Sequence, residues 1–265
     1  MIAGKPTSQP KRVPRFCMPE AKAQGQTLPL DEDLMHYASR VLRVLDGDVL
    51  RIWNGAGQEF DGTLHYLNKK MAQVTLTSAP RSLASQELRR PVHVLQALPE
   101  GDKMDWVLEK TTELGAAAFW PAMGRRSVVK LDGERLAKRQ AHWGRVVLAA
   151  ALQSERSELP TVHDCMPLQA CLAEIARLHP KAELLWFTPG AESAFRHWHP
   201  ADDTAPLIVA IGPEGGWSAE ETALALESPL INNRGLSLSP RILRTETFGC
   251  AALSQLTEKL GLDPF

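Results

Sequence analysis

The chain has no apolar run near the ~18 residues that cross a bilayer as one helix, which excludes a helical membrane span. Its 265 residues contain only four cysteines, Cys17, Cys165, Cys171 and Cys250. These make no Cys-x-x-Cys pair and no metal-ligand spacing, so no metal site is expected, and they read as reduced thiols of a cytoplasmic protein. Histidine offers no constellation either: His197 and His199 flank Trp198 in a polar stretch and read as surface groups. A secretory leader is not expected, because Lys5, Pro6, Pro10 and Lys11 interrupt the start, and residues 1–14 read as a loose tail. Internal repeats and low-complexity segments are lacking. Charge of one sign is lacking too. A net charge of −1 argues by itself against a nucleic-acid binder, although its distribution matters more than its sum.

What is present is a chain 44% apolar and long enough for two domains. From Arg15 to about Ser85 it is β-rich. Asp48 to Trp53 alternates, Asn54 to Gly57 turns like a hairpin, Glu59 to Leu67 resumes the alternation, and Met71 to Thr77 supplies another strand. A short helix over Asp33 to Leu42, capped near Asp31, precedes them. Several short strands with one helix suggest a small barrel. A boundary falls near Ser82 to Arg90. Beyond it strands and helices alternate, the signature of a parallel α/β sheet. Strands are expected at Val92 to Leu98, Ala116 to Trp120, Glu183 to Phe187 and Leu207 to Ile211. Helices are expected at Lys103 to Leu114, Glu134 to Glu155 and Leu168 to Leu178.

The stretch around which the second half is organised is Ile211-Gly212-Pro213-Glu214-Gly215-Gly216-Trp217-Ser218. It follows the buried strand, and Ser218 with Glu220 and Glu221 reads as the cap and acidic first turn of a helix. Glycines there let backbone approach a flat or anionic ligand, although no Gly-Lys-Ser/Thr follows, which sets aside a phosphate-cradling NTPase. Its partner, Leu236-Ser237-Leu238-Ser239-Pro240-Arg241-Ile242-Leu243-Arg244-Thr245-Glu246-Thr247, reads as a tight polar loop. Thr245 is placed to cap a helix over Phe248 to Leu260.

On these two stretches the chain resembles the RsmE family of ribosomal RNA methyltransferases. His36-Tyr37-Ala38-Ser39-Arg40-Val41-Leu42-Arg43, Gly101 to Gly115, and Gln153-Ser154-Glu155-Arg156 extend the resemblance over nearly all of the chain from Arg15. Three positions depart from the family pattern. Ser239 stands where glycine is expected, Glu100 where lysine is, and Phe248 where a small residue is. The resemblance implies a PUA-like β-barrel over 15–88 that binds RNA. It also implies a SPOUT domain over 89–265, a parallel sheet with a trefoil knot. The activity implied is transfer of a methyl group from S-adenosylmethionine to N3 of a uridine in 16S ribosomal RNA of the small subunit, by a homodimer. The seam would be the apolar face Phe248, Leu253, Leu256 and Leu260.

Three strand-end loops would hold the cofactor: Thr188-Pro189-Gly190, Gly212 to Gly216, and Leu236 to Arg241. Leu236, Leu238, Ile242 and Leu243 are either walls of an adenine slot or simply core. Uracil N3 carries a proton and is a poor nucleophile until it leaves, so a guanidinium beside the flanking carbonyl oxygens would stabilise the charge that develops. Arg244 is the first choice and Arg241 the second, with Glu246, Thr245 and Thr247 as acceptors or orienters, the two threonines alternatively only capping the helix. Glu214 meets ribose hydroxyls, stands near the sulfonium, or simply bonds nearby amides. N3 lies on the Watson–Crick edge, so the uridine must be unpaired or flipped. Trp217 then either stacks on the base or packs against Phe248.

RNA contacts are expected from Arg40, Arg43, Gln153 and Arg156, and from the stretch Arg125 to Arg145. That stretch holds Arg125, Arg126, Lys130, Arg135, Lys138, Arg139 and Arg145 against only Asp132 and Glu134, a surplus of five positive charges. The plainer alternatives are a solvated helix face and an exposed helix-end arginine. Two other functions stay open. One is a SPOUT enzyme that methylates a ribose 2′-hydroxyl, the other a non-catalytic RNA-binding module with a vestigial pocket.

Overall fold

A computed structural model describes residues 13–83, 87–127, 132–188, 190–191, 193–201 and 204–260, with the backbone alone at 232–234. The expected tail over 1–14 lies almost wholly outside the described residues, as do Lys130 and Pro189. The chain divides between Ser85 and Gln86 into two compact units.

The first unit contains β1 (Arg15–Cys17), β2 (Thr27–Pro29), α1 (Glu32–His36), β3 (Val49–Trp53), β4 (Gln58–Asn68), β5 (Met71–Leu76) and β6 (Arg81–Ser82). The strands lie in the order β1-β3-β4-β5-β2, with β6 on β4. Only the β1–β3 pair is parallel. Alternation in β3 and β4 sends Leu50, Ile52, Phe60 and Leu64 into one core with Phe16 and Val74. Asp31 caps α1, its Oδ1 accepting from the Leu34 N–H at 2.7 Å. The helix then widens into a π-helical stretch, Tyr37–Leu42, closed by Arg43 in the left-handed region at φ 53°. The side chains of Arg40 and Arg43 are exposed.

In the second unit the elements are β7 (Val92–Ala97), α2 (Lys103–Glu113), β8 (Ala116–Met123), α3 (Gly133–Gln153), β9 (Thr161–Val162), β10 (Met166–Pro167), α4 (Leu168–Leu178), β11 (Glu183–Phe187), β12 (Ser193–Ala194), β13 (Leu207–Ile211), α5 (Ala219–Leu226), β14 (Ile231–Ser237) and α6 (Thr245–Leu260). Every pairing is parallel, in the order β10-β8-β7-β13-β11-β14-β12 with β9 beside β8. The central strands are buried on both faces, as parallel sheets require. Leu185, Val209 and Ile211 pack on the face that carries Leu108, Val147 and Leu253 of α2, α3 and α6. Leu184, Trp186 and Ile208 pack on the other, with Leu172 of α4 and Ala225 of α5. Gly249 lets α6 approach α2 closely, since a Cβ there would stand 2.9 Å from Thr111 Cγ2.

Two expectations change at β14 and α6. Leu236 and Ser237 end a strand instead of opening a loop, because β14 adds to β11 in parallel despite its polar sequence. Thr245 lies inside the first turn of α6, and its hydroxyl is committed to the glycine loop instead of a cap.

Candidate active site

Because the strands are parallel, β11, β13 and β14 deliver their carboxyl-end loops to one edge of the sheet, where open α/β sheets hold ligands. A cleft of about 600 Å³ lies there, within the range of small-molecule sites. Its lining includes Thr188, Gly190, Gly212 to Gly216, Leu236, Leu238 and Arg241 to Glu246. The structure thus brings together every described residue that the sequence reading assigned to cofactor or catalysis.

The glycine loop is held from several sides. Gly216, at φ +65°, closes a turn by donating its N–H to the Pro213 carbonyl at 2.8 Å. A Cβ on Gly212 would lie 3.3 Å from the Gly216 backbone and from the Trp217 ring. Arg126 donates from Nη1 to the Gly215 carbonyl at 2.7 Å. Behind the loop Ser218 and Glu221 form a reciprocal capping box that starts α5. Glu214 accepts from Lys103 Nζ at 2.5 Å and from the Glu100 N–H at 3.1 Å. Burial alone would raise the Glu214 carboxyl, but hydrogen bonds from Lys103 and the backbone hold it below the usual range. Glu214 is thus a bonded loop carboxylate that also stands on the lining of the cleft.

On the opposite wall, Thr188 ties its loop to β14 by donating its N–H to the Leu236 carbonyl at 3.0 Å. Leu236 is buried, Leu238 and Leu243 are half-buried, and Ile242 stands at the rim 88% exposed, so it is not core. Ser239, where glycine was expected, accepts the Arg241 N–H on its hydroxyl at 3.1 Å and so shapes the turn itself. Arg244 is 82% exposed, and its Nη1 lies 3.9 Å from Glu246 Oε1. The Glu246 side chain is 19% exposed. Its Oε2 is buried without a hydrogen-bond partner among the described residues.

Several assigned residues turn out otherwise. Arg156, expected to touch RNA, is 4% exposed. Its guanidinium bonds Glu87 and donates to the carbonyls of Thr112 and Ala116, so it braces α2 and β8 instead. Trp217 lines the cleft and packs on Trp186 instead of Phe248, with ring centroids 4.7 Å apart, while Phe248 meets Phe187. Leu253 and Leu256 are fully buried in their own domain, so the face assigned to a dimer seam is already covered. In the basic stretch, Arg125 lies 3.8 Å from Glu220, Lys138 2.7 Å from Glu134 and Arg139 3.3 Å from Asp102. Arg135, Arg145 and, at the end of α3, Gln153 are exposed. The sequence reading missed Lys103 and Phe187 on the cleft and Gln96 behind it. A polar Gln96 in the buried strand Val92–Ala97 was the available signal.

Residues 86–257 match a family described as RNA methyltransferase domain. The chain is 30% identical over 244 residues to ribosomal RNA small subunit methyltransferase E of Bacillus subtilis, covering 89% of this chain and 93% of that protein. Its fold is similar to that of a ribosomal RNA small subunit methyltransferase E from Neisseria gonorrhoeae bound to S-adenosylmethionine. That likeness has a TM-score of 0.79 and 29% identity, over 93% of this chain and 97% of the other. A putative methyltransferase from Legionella pneumophila, in complex with the same cofactor, gives a TM-score of 0.80 at 30% identity over 94% and 98%. With the family match spanning more than half of its length and these relatives nearly all of it, the chain belongs to the ribosomal RNA small subunit methyltransferase E family, with a SPOUT-type RNA methyltransferase domain.

Proposed function

We propose that this protein transfers a methyl group from S-adenosylmethionine to N3 of a uridine in 16S ribosomal RNA of the small subunit. The observation that carries the reading is the pairing of an exposed guanidinium with a half-buried carboxylate, Arg244 and Glu246, on the wall of a strand-end cleft. The cleft suits the cofactor: Leu236, Leu238, Phe187 and Leu243 offer apolar walls, and Gly212 and Gly215 bring bare backbone to the opposite side. When bound, S-adenosylmethionine supplies an electrophilic sulfonium methyl group. The protein's own residues then have to align the base and remove its proton.

Glu246 Oε2, buried and without a partner among the described residues, is suited to accept the N3 proton. The negative charge left on the flanking carbonyl oxygens is stabilised by Arg244, with Arg241 beside it. The target uridine enters unpaired. Arg40 and Arg43 of the first unit, the PUA-like barrel in this reading, contact RNA phosphates, as do Arg125, Arg126, Arg135, Lys138, Arg139 and Gln153 of the second. The protein works in the cytoplasm as a homodimer. A seam must use surface other than Leu253 and Leu256, which are buried. Among the described residues no helix is long and apolar enough to cross a membrane.

Calorimetry tests the cofactor assignment. S-adenosylmethionine is expected to bind the wild-type protein and to lose that binding in Gly215→Val, whose Cβ would make only ordinary contact with the Arg126 side chain at 3.4 Å but whose two γ-methyl groups would stand where bare backbone faces the cofactor. A wild-type protein that takes up no cofactor would instead make the cleft vestigial.

A further inference from the structure

Gln96 is fully buried on β7, between Ile211 of β13 and Pro121 of β8, and does not line the cleft. Its side-chain amide donates twice, to the Ala97 carbonyl at 2.8 Å and to Thr245 Oγ1 at 3.0 Å. The orientation is fixed by chemistry, since a flipped amide would set its oxygen against the Ala97 carbonyl. Having accepted from Gln96, the Thr245 hydroxyl spends its one proton on the Gly212 carbonyl at 2.7 Å. A directed chain thus runs from the sheet, through the first turn of α6, to the start of the glycine loop. Thr245 lies between Arg244 and Glu246 in sequence.

We propose that Gln96 is a positioning residue: through the Thr245 hydroxyl it holds the turn carrying Arg244 and Glu246 in register with the glycine loop. The proposal rests on the methyl-transfer reading above for its catalytic consequence, but not for the coupling itself. A buried hydroxyl with one donor and one acceptor partner has a single satisfied orientation. Loss of either neighbour therefore frees both walls of the cleft to move, and a displacement of about 1 Å costs on the order of a hundredfold in rate.

The test uses Gln96→Met, Thr245→Val and Thr245→Ser in the full chain, with turnover measured at saturating S-adenosylmethionine and small subunits. Gln96→Met and Thr245→Val are expected to lower kcat about tenfold or more, through loss of alignment, with little change in KM. Thr245→Ser recovers the loss, and the double variant Gln96→Met/Thr245→Val is no slower than the slower single one. Amide hydrogen exchange reads the coupling without turnover. Exchange at Gly216, Thr247 and Phe248, whose N–H groups bond Pro213 and Arg244 carbonyls, should speed up together in Thr245→Val but not in Thr245→Ser. Equal turnover and equal exchange in the valine and serine variants would overturn the proposal, as would a double variant whose losses multiply. If Gln96→Met does not fold, the Thr245 pair decides alone. A wild-type protein that methylates nothing while exchange responds removes the functional reading and leaves the coupling standing.

Discussion

At the scale of single residues, the proposed mechanism rests on Arg244. It is 82% exposed, with its Nη1 3.9 Å from Glu246 Oε1, so it is free to reach a base. If it stabilises charge only as N3 loses its proton, its contribution belongs to the transition state. Arg244→Ala should then lower turnover by ~10²-fold, the usual cost of losing one oxyanion donor, while cofactor affinity measured by calorimetry stays put. Arg244→Lys should rescue poorly, because one ammonium cannot reproduce the planar fork. The alanine variant should also regain activity as pH rises and hydroxide takes over removal of the proton. Near-wild-type turnover at saturating substrates would exclude Arg244 from the chemistry. Arg244, Glu246 and the glycine loop were legible because their order along the chain carries the motif. Arg156 was not: its partner Glu87 lies 69 residues away, and only the fold shows that the helix-end arginine is buried. Trp217 was half legible, as a packed ring, but its partner Trp186 comes from β11, 31 residues earlier in the chain.

At the scale of elements, α3 is the basic one. Sequence counting overstates its free charge, since Lys138 pairs with Glu134 and Arg139 with Asp102. Such exposed pairs are weak and yield to a phosphate. Replacing Arg135, Lys138 and Arg139 by alanine should weaken RNA binding and reduce the slope of log affinity against log salt by about one for each phosphate no longer neutralised. Cofactor affinity should not change. An unchanged salt slope would make α3 a solvated face. Helices and central strands were legible from their periodicity: Leu168–Leu178, Glu183–Phe187 and Leu207–Ile211 fall where the pattern puts them. The polar Ile231–Ser237 was not legible as a strand through to Ser237, because what makes it one is its place between β11 and β12. On α6 the pattern gave the apolar face correctly and its partner wrongly, as Leu253 and Leu256 serve their own core.

For the whole molecule, stability should depend on acid in a way set by buried histidine. His93 is 6% exposed, accepts from Trp120 Nε1 at 3.3 Å, and has the His179 ring at 4.9 Å. Burial, then the neighbouring His179 and His163, push it down to about 3. Unfolded, it titrates near ~6.5. Between those values the unfolded chain binds more protons, so stability rises with pH and levels off above ~6.5. The denaturation midpoint should therefore fall between about pH 6.5 and 5, before most carboxylates titrate; a flat midpoint there would mean that His93 is solvated. The two-unit plan was legible as a change from alternating strands to alternating strands and helices, with a boundary placed between Ser82 and Arg90 and found after Ser85. The activity is tested most directly by the product. Small ribosomal subunits lacking the modification are incubated with the protein and methyl-labelled S-adenosylmethionine, then digested to nucleosides and separated by mass spectrometry. The label is expected in 3-methyluridine; label in a 2′-O-methylated nucleoside, or in none, would contradict the assignment.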